Sequence, residues 1–308
     1  MDMSIAGTMP VMLTQIAAMF LMMGIGAAMF RSGKLSNEGV SQMSTVALYV
    51  ATSGVILRSL AVDFDPALMG EAVVCSVLTI VFTAMSALVA RLLYRDRRRI
   101  AQLGIMVSNM GFVGIPLVDS VMGGEYVFYI SVCIATQLTI TWTYGVWLVA
   151  NDASVISVRR ILTNPAILSS ALGLALFASP LELPAVAMET VDGMANLNEG
   201  LAMLILGSYL AQTDLRSLAR DKNLYLATFA RLVVVPALVV AALVPVPVAV
   251  PVKMAVVIGF AAPCGAVTAM FPQLFGGDYR FGAGLVSAST LLSLATMPAV
   301  LAASLLVF

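Results

Sequence analysis

The chain has no histidine, only three cysteines, and few charges: 10% of its 308 residues are Asp, Glu, Lys or Arg. Soluble globular chains carry about 25%, so an ordinary water-facing surface is excluded. Without an imidazole, any proton coupling near neutral pH falls to Asp, Glu or water. Cys75, Cys133 and Cys264 stand singly inside apolar segments. They read as small buried hydrophobes and imply neither a disulfide framework nor a metal site. Formal net charge is zero, which argues against nucleic acid as a partner. An enzyme within the membrane would need a nucleophile with its base, or a metal. A chain with no histidine and no paired-aspartate motif supplies neither, so no catalytic residue is assigned and no cofactor is expected.

Apolar residues are what the chain has in abundance, at 61% of the sequence with a mean hydropathy of +1.01. A spanning helix takes roughly 20 predominantly apolar residues. Ten segments qualify, near 9–30, 39–60, 67–93, 100–121, 125–150, 162–179, 186–211, 223–245, 251–274 and 281–306. The expected fold is an all-α membrane protein of ten transmembrane helices set in the lipid bilayer, with no room for a soluble domain. Met1 to Pro10 holds Asp2 and no Lys or Arg, so a cleaved signal peptide is not expected. The twenty methionines suit irregular gaps between apolar helices.

Positive charge assigns the two sides. Arg31 and Lys34 follow the first span, and Arg91, Arg95, Arg97, Arg98 and Arg99 follow the third. Arg159 and Arg160 follow the fifth, Arg216, Arg220 and Lys222 the seventh, and Arg280 the ninth. The opposite connections hold mostly acids: Asp63, Asp65, Glu71, Glu125, Glu182, Glu189 and Asp192, with Lys253 the lone base and Arg58 near a span end. The alternation does not slip, which puts both termini on the non-cytoplasmic side. The cluster Arg95 to Arg99 adds attraction for anionic lipid.

Two spans are interrupted where a membrane helix should run straight. The fourth reads Ser108-Asn109-Met110-Gly111-Phe112-Val113-Gly114-Ile115-Pro116, and the ninth Ala262-Pro263-Cys264-Gly265-Ala266. Broken backbone at membrane depth is tolerated only where protein or a water-filled cavity satisfies the freed groups. A matched pair of breaks in two halves is a sequence pointer to a carrier's binding site. The halves match here: Gly123-Gly124-Glu125-Tyr126 and Gly276-Gly277-Asp278-Tyr279 lie 153 positions apart, and the same shift superimposes the two breaks. Five spans per copy is odd, so the expectation is a 5+5 inverted repeat, residues 1–153 and 154–308. In each turn a glycine should end one helix, with Glu125 or Asp278 opening the next at its positive dipole end.

A helix broken at the midplane exposes a positive end on its second half and a negative end on its first. The second halves, expected to begin after Gly111 and Gly265, should face one another and form an anion site. Met110, Gly111, Pro116, Ala262, Pro263, Cys264 and Gly265 would frame it. Asn109 either contacts the substrate or satisfies freed backbone groups. Thr136 and Gln137 coincide under the shift with Ser289 and Thr290. These four could line the site, ligate Na⁺, or bond helix to helix. Four charges fall within or near the hydrocarbon: Arg58, Asp119, Glu199 and Arg231. At 1.5 Å per residue, Glu199 and Arg231 sit about 13 Å from opposite faces. They are expected to pair, or Glu199 to take up a coupling proton; a snorkelling Arg231 with Glu199 facing a polar cavity is the alternative. Arg58 and Asp119 lie near span ends.

The run Asn109-x-x-x-x-Gly114-Ile115-Pro116-Leu117, with Ala262-Pro263-Cys264-Gly265, Gly24-x-Gly26 before Arg31 and Lys34, Asn164-Pro165 and Pro298, resembles the auxin efflux carrier family along the whole chain. The resemblance implies spans 1, 2, 6 and 7 as scaffold and spans 3–5 and 8–10 as a mobile unit working like an elevator. It implies a homodimer through the scaffold in a bacterial inner membrane. It also implies contact between Asn109 and a substrate carboxylate such as malonate, malate or an auxin-like acid. Thr52-Ser53-Gly54 stands where the family often has proline, and the loop after the fifth span is short, so auxin itself is not implied. A bile-acid-type sodium symporter shares the architecture and stays open as an alternative, as does coupling to H⁺. A channel would need a continuous polar lining, which isolated polar residues do not provide. No appended signalling domain favours a sensor.

Overall fold

The computed structural model describes residues 5–61, 65–95, 98–150, 163, 165–179, 183–212, 221–275 and 277–308. Asp63, Arg97, Arg159, Arg160, Asn164, Glu182, Arg216, Arg220 and Gly276, together with the boundary at 153/154, lie outside the described residues. The rest form helices α1 (Ile5–Arg31), α2 (Asn37–Leu60), α3 (Pro66–Tyr94), α4 (Arg99–Met106), α5 (Met110–Met122), α6 (Gly124–Ala150), α7 (Pro165–Phe177), α8 (Ala185–Gln212), α9 (Lys222–Leu243), α10 (Val250–Ala261), α11 (Val267–Phe275) and α12 (Tyr279–Val307). Among the described residues there is no strand, only one antiparallel bridge between Ser108 and Cys264.

Among the described residues, six helices are long and apolar enough to cross a membrane: α1, α2, α3, α6, α9 and α12. The fourth and ninth sequence segments fall short because each is two short helices, α4 with α5 and α10 with α11. Helix α7 contributes only the short apolar stretch Ile167–Phe177. Helix α8 is 28 residues long, but Glu189, Asp192, Asn196, Asn198 and Glu199 interrupt its apolar run. Large apolar side chains such as Leu21, Leu92, Val186 and Leu306 point outward, as they would toward lipid rather than water.

Local chemistry sets the helix ends. Asp65 accepts from the Ala67 N–H at 2.8 Å with Pro66 in the first helical position, and Asp221 accepts from Asn223 N–H at 2.9 Å. Asp278 accepts from Phe281 N–H at 3.0 Å, so this acid caps α12 as the turn motif leads one to expect. Gly123 closes α5 at φ +112°, and Gly277 precedes α12 at φ +139°, conformations that side-chained residues rarely adopt.

Helix α1 lies along α8, while α2 packs on α7 and α8. A Cβ added at Gly26 would strike the Leu204 backbone, and one at Gly207 the Met23 backbone, so the two helices cross with their main chains in contact. Elsewhere α3 packs on α4 and α6, α10 sits among α6, α9 and α12, and α11 packs on α12.

Among the described residues, wide π turns occupy Ala47–Ala51, Met110–Gly114, Thr141–Gly145 and Ala230–Val234. Two of them end two residues ahead of a proline, Pro116 and Pro236. Proline donates no N–H, so the preceding carbonyls lose their usual partner and the helix widens there.

Candidate functional site

The two interrupted helices cross at their breaks. Asn109 N–H donates to the Pro263 carbonyl and Gly265 N–H to the Val107 carbonyl, both at 2.9 Å. The Ser108 hydroxyl donates to the Gly259 carbonyl at 2.6 Å, and the Ser289 hydroxyl accepts from Cys264 N–H at 3.1 Å. These freed backbone groups are thus satisfied by the opposite break or by a neighbouring hydroxyl, the condition for broken backbone at this depth. A Cβ at Gly265 would lie 3.0 Å from Val107 Cγ1 and 3.3 Å from the Ser108 carbonyl, so the close crossing favours glycine.

The first-half helices α4 and α10 end on one side of the crossing, where Arg231 is fully buried. Its Nε donates to the Ala262 carbonyl at 3.1 Å, Nη1 to Ile105 at 3.1 Å and Nη2 to Phe260 at 2.6 Å. The second-half helices α5 and α11 begin at Met110 and Val267, one residue before and two residues after the expected glycines. Gly111 falls inside the π turn that opens α5.

A cavity of about 60 Å³ lies at these two beginnings. At roughly 10–15 Å³ per water it has room for about five waters or a comparably small anion. Asn109, Met110, Gly111 and Phe112 line it from one break, and Gly265, Ala266 and Val267 from the other. Ser108 of the first break, Gln137 and Thr141 of α6 and Thr52 of α2 complete the polar part. Asn109 and Gln137 are 5% and 4% exposed. The amide nitrogen of each is buried without a hydrogen-bond partner, an arrangement that costs about 1–3 kcal/mol per group unless a ligand accepts from it.

Of the residues singled out in sequence, Asn109, Met110, Gly111, Gly265 and Gln137 meet at this cavity, while Pro116, Ala262, Pro263, Cys264 and Thr290 do not line it. Pro116 instead follows the π turn of α5; Ala262 and Pro263 offer carbonyls to Arg231 and Asn109. Thr290 donates to the Val286 carbonyl at 2.7 Å. Ser289 holds Cys264 N–H, and Thr136 faces α3, bonding Ser76 Oγ at 3.3 Å. All three cysteines are free and buried.

Glu199 and Arg231 do not pair. Glu199 accepts from Gln15 Nε2 on α1 at 2.8 Å, while Arg231 lies on α9, which faces α4, α10 and α12. Their depths match, but they point into different parts of the bundle. Asp119 is exposed near the end of α5, and Arg58 donates to Asn196 Oδ1 at 3.0 Å rather than simply reaching for the interface.

Thr52, Thr141 and Asn198 were not expected at the site. Asn198, 2% exposed, donates to the Gly111 carbonyl and accepts from the Thr52 hydroxyl. The signal for Thr52 was present in Thr52-Ser53-Gly54, a polar triplet inside an apolar span.

A second cavity of about 260 Å³ shares Leu48 with the first. Ser41, Ser44, Thr45, Tyr209 and Trp142 line it, toward the end of the bundle where Arg98 pairs with Asp221 at 3.7 Å and Tyr94 Oη bonds the Asn223 carbonyl.

Among the described residues the chain is helical and multi-pass, with buried polar groups around a crossing of broken helices, an architecture that fits membrane transport. The sequence model of the membrane transport protein family, the auxin efflux carrier family, matches residues 11–158 and 150–301, and the chain belongs to that family. Comparison with curated proteins finds no match.

Proposed function

We propose that this protein is a secondary transporter of a small organic anion, a carboxylate of about malonate size, held at the crossing. The observation that carries the reading is the pair of unpartnered amide donors, Asn109 Nδ2 and Gln137 Nε2, beside two helix beginnings on one cavity. Each beginning carries roughly half a positive charge. The N–H groups of Met110, Gly111 and Phe112 precede the first helical bond of α5, donated by Val113 to the Asn109 carbonyl. An anion there would receive backbone and side-chain donors with no fixed cation in the cavity.

In this reading α4 with α5, and α10 with α11, each count as one span. The ten spans then form two inverted halves, with α1, α2, α7 and α8 as scaffold and the remaining helices carrying the anion past them. The polar second cavity would be the route to the cytoplasm, and two copies would join through the scaffold. The small volume of the main cavity favours short carboxylates over an indole-bearing acid.

Thermal-shift measurement of the purified protein against mono- and dicarboxylates, followed by counterflow of the best ligand in proteoliposomes, tests the proposal. Stabilisation grows with ligand over dissociation constant. A carboxylate that stabilises the protein and exchanges across the vesicle supports it. Indifference to every small carboxylate, or flux that never saturates, would remove it.

A further inference from the structure

The crossing has two electrical sides, and the side away from the cavity already holds a cation. Helices α4 and α10 end beside Arg231, and each helix C-terminus carries roughly half a negative charge. Together they balance one guanidinium. Arg231 is 0% exposed, and its three bonds go to the orphan carbonyls of Ile105, Phe260 and Ala262, drawn from both helix ends. Among the described residues no carboxylate lies within ion-pair distance of it. A buried charge without a counter-charge is strongly unfavourable, so the paired helix ends are what keep this arginine charged inside the bundle.

A monovalent metal ion drawn to a broken-helix crossing would seek these same carbonyls, with hydroxyls to complete several oxygen ligands. Three hydroxyls beside the breaks already donate to carbonyls. Ser289 donates to the Val286 carbonyl at 3.0 Å while accepting from Cys264 N–H, Thr290 donates to the Val286 carbonyl, and Ser108 donates to the Gly259 carbonyl.

We infer that Arg231 is a resident cation standing where a coupled sodium ion would otherwise bind, so that the crossing binds its anion and works without sodium. This rests on the anion-carrier reading for its role in transport, but not for its electrostatics. Arg231 neutralises the negative side permanently, and its charge reinforces the positive side one backbone layer away. It is a positioning residue: it holds both helix ends together and does not line the cavity.

The test uses full-length protein, wild type and Arg231→Ala, melted in sodium, choline or methylguanidinium chloride with no carboxylate present. Wild type should melt at one temperature in all three. Arg231→Ala should melt lower in choline and be raised by methylguanidinium, which returns the missing group to the vacated place, with a smaller rise in sodium. Wild type stabilised by sodium over choline would overturn the inference. So would an alanine variant that folds but ignores both cations. Should Arg231→Ala not fold, Arg231→Lys decides: melting indifferent to sodium supports the inference, and sodium-dependent melting overturns it. Malonate counterflow then separates the two claims. Equal rates in sodium and choline support both, and a loss of about tenfold in choline overturns the resident cation. No flux in either salt counts against malonate carriage alone, with the melting data still deciding Arg231.

Discussion

Asn198 on α8 donates its side-chain amide to the carbonyl of Gly111 in the first break, at 3.1 Å. Its own carbonyl oxygen accepts from Thr52 on α2 at 3.2 Å. One buried side chain therefore ties two helices assigned to the scaffold to the backbone of the proposed anion site. If the crossing moves past the scaffold, this bond exists in one state and not in the other. A hydrogen bond contributes about 1 kcal/mol net, enough to change a two-state population about fivefold. Asn198→Ala should therefore depopulate the state seen here. Labelling of Ser44→Cys in the second cavity by a water-soluble maleimide should slow by up to about fivefold in that background. Unchanged labelling would mean that Asn198 is packing and not a latch.

Asn109 and Gln137 lead to paired predictions of opposite sign. Each amide nitrogen is buried without a partner, so apolar replacement should relieve the empty protein while removing a donor from the ligand. Gln137→Leu is expected to raise the melting temperature without carboxylate. It should weaken carboxylate-induced stabilisation by the worth of a charge-assisted bond, about 1.5–3 kcal/mol, or roughly 10- to 150-fold in affinity. Asn109→Ala should weaken binding similarly. Asn109→Asp, which places a negative charge against the anion, should abolish it. Both effects are read from one titration series, and a Gln137→Leu protein that binds as well as wild type would remove this residue from the site.

The breaks were legible because glycine and proline act on the backbone where they stand: Pro116, Pro263 and Gly265 mark them with no knowledge of the fold. The Gly-Gly-acid-Tyr turns were legible for the same reason, and Asp278 caps α12 as its position requires. Depth along a helix was also readable, since 1.5 Å per residue is fixed. Direction around the helix axis was not. In a chain that is 61% apolar, most helices are apolar on every face, so no stripe tells which neighbour a polar residue meets. Glu199 and Arg231 were matched by depth, yet one faces α1 and the other the crossing. Thr141 and Asn198 escaped notice for the same reason. A single arginine in an apolar run gives no sign that its partners will be three carbonyls.

The early Gly24-x-Gly26 pair splits cleanly once α1 is packed on α8. A Cβ at Gly26 would run into the Leu204 main chain, whereas one at Gly24 meets nothing within 4 Å. Gly24→Ala should therefore be neutral or slightly stabilising, since alanine is a better helix former by about 1 kcal/mol in water-exposed helices. Gly26→Ala and Gly207→Ala force two backbones apart, and overpacking of this kind costs about 1–3 kcal/mol or more. Melting curves of the three variants in one detergent check the contrast. A Gly207→Ala protein as stable as wild type would mean that the α1–α8 approach is looser than described.

At the start of α9, Asp221 makes stability depend on pH in a direction that can be worked out. Burial pushes its carboxyl up. The Asn223 backbone N–H, the Asn223 side-chain amide, the Arg98 charge and the Leu224 backbone N–H outweigh that and hold it below the ordinary aspartate range. A carboxyl depressed on folding contributes stability that is complete above its unfolded value, about 3.9, and is lost as pH falls through the lower folded value. The ion pair with Arg98, at 3.7 Å between half-exposed groups, adds little; the cap on α9 carries most of the effect. Asp221→Ala should cost about 1 kcal/mol near neutral pH, a drop of roughly 2–4 °C in melting temperature. The gap to wild type should stay level down to about pH 5 and close below about pH 4. Asp221→Asn keeps the cap acceptor without the charge, so it should melt near wild type at neutral pH and keep its margin over the alanine variant below about pH 4. If the asparagine variant is as unstable as the alanine one, the charge on Asp221, and not its cap, holds this end of α9.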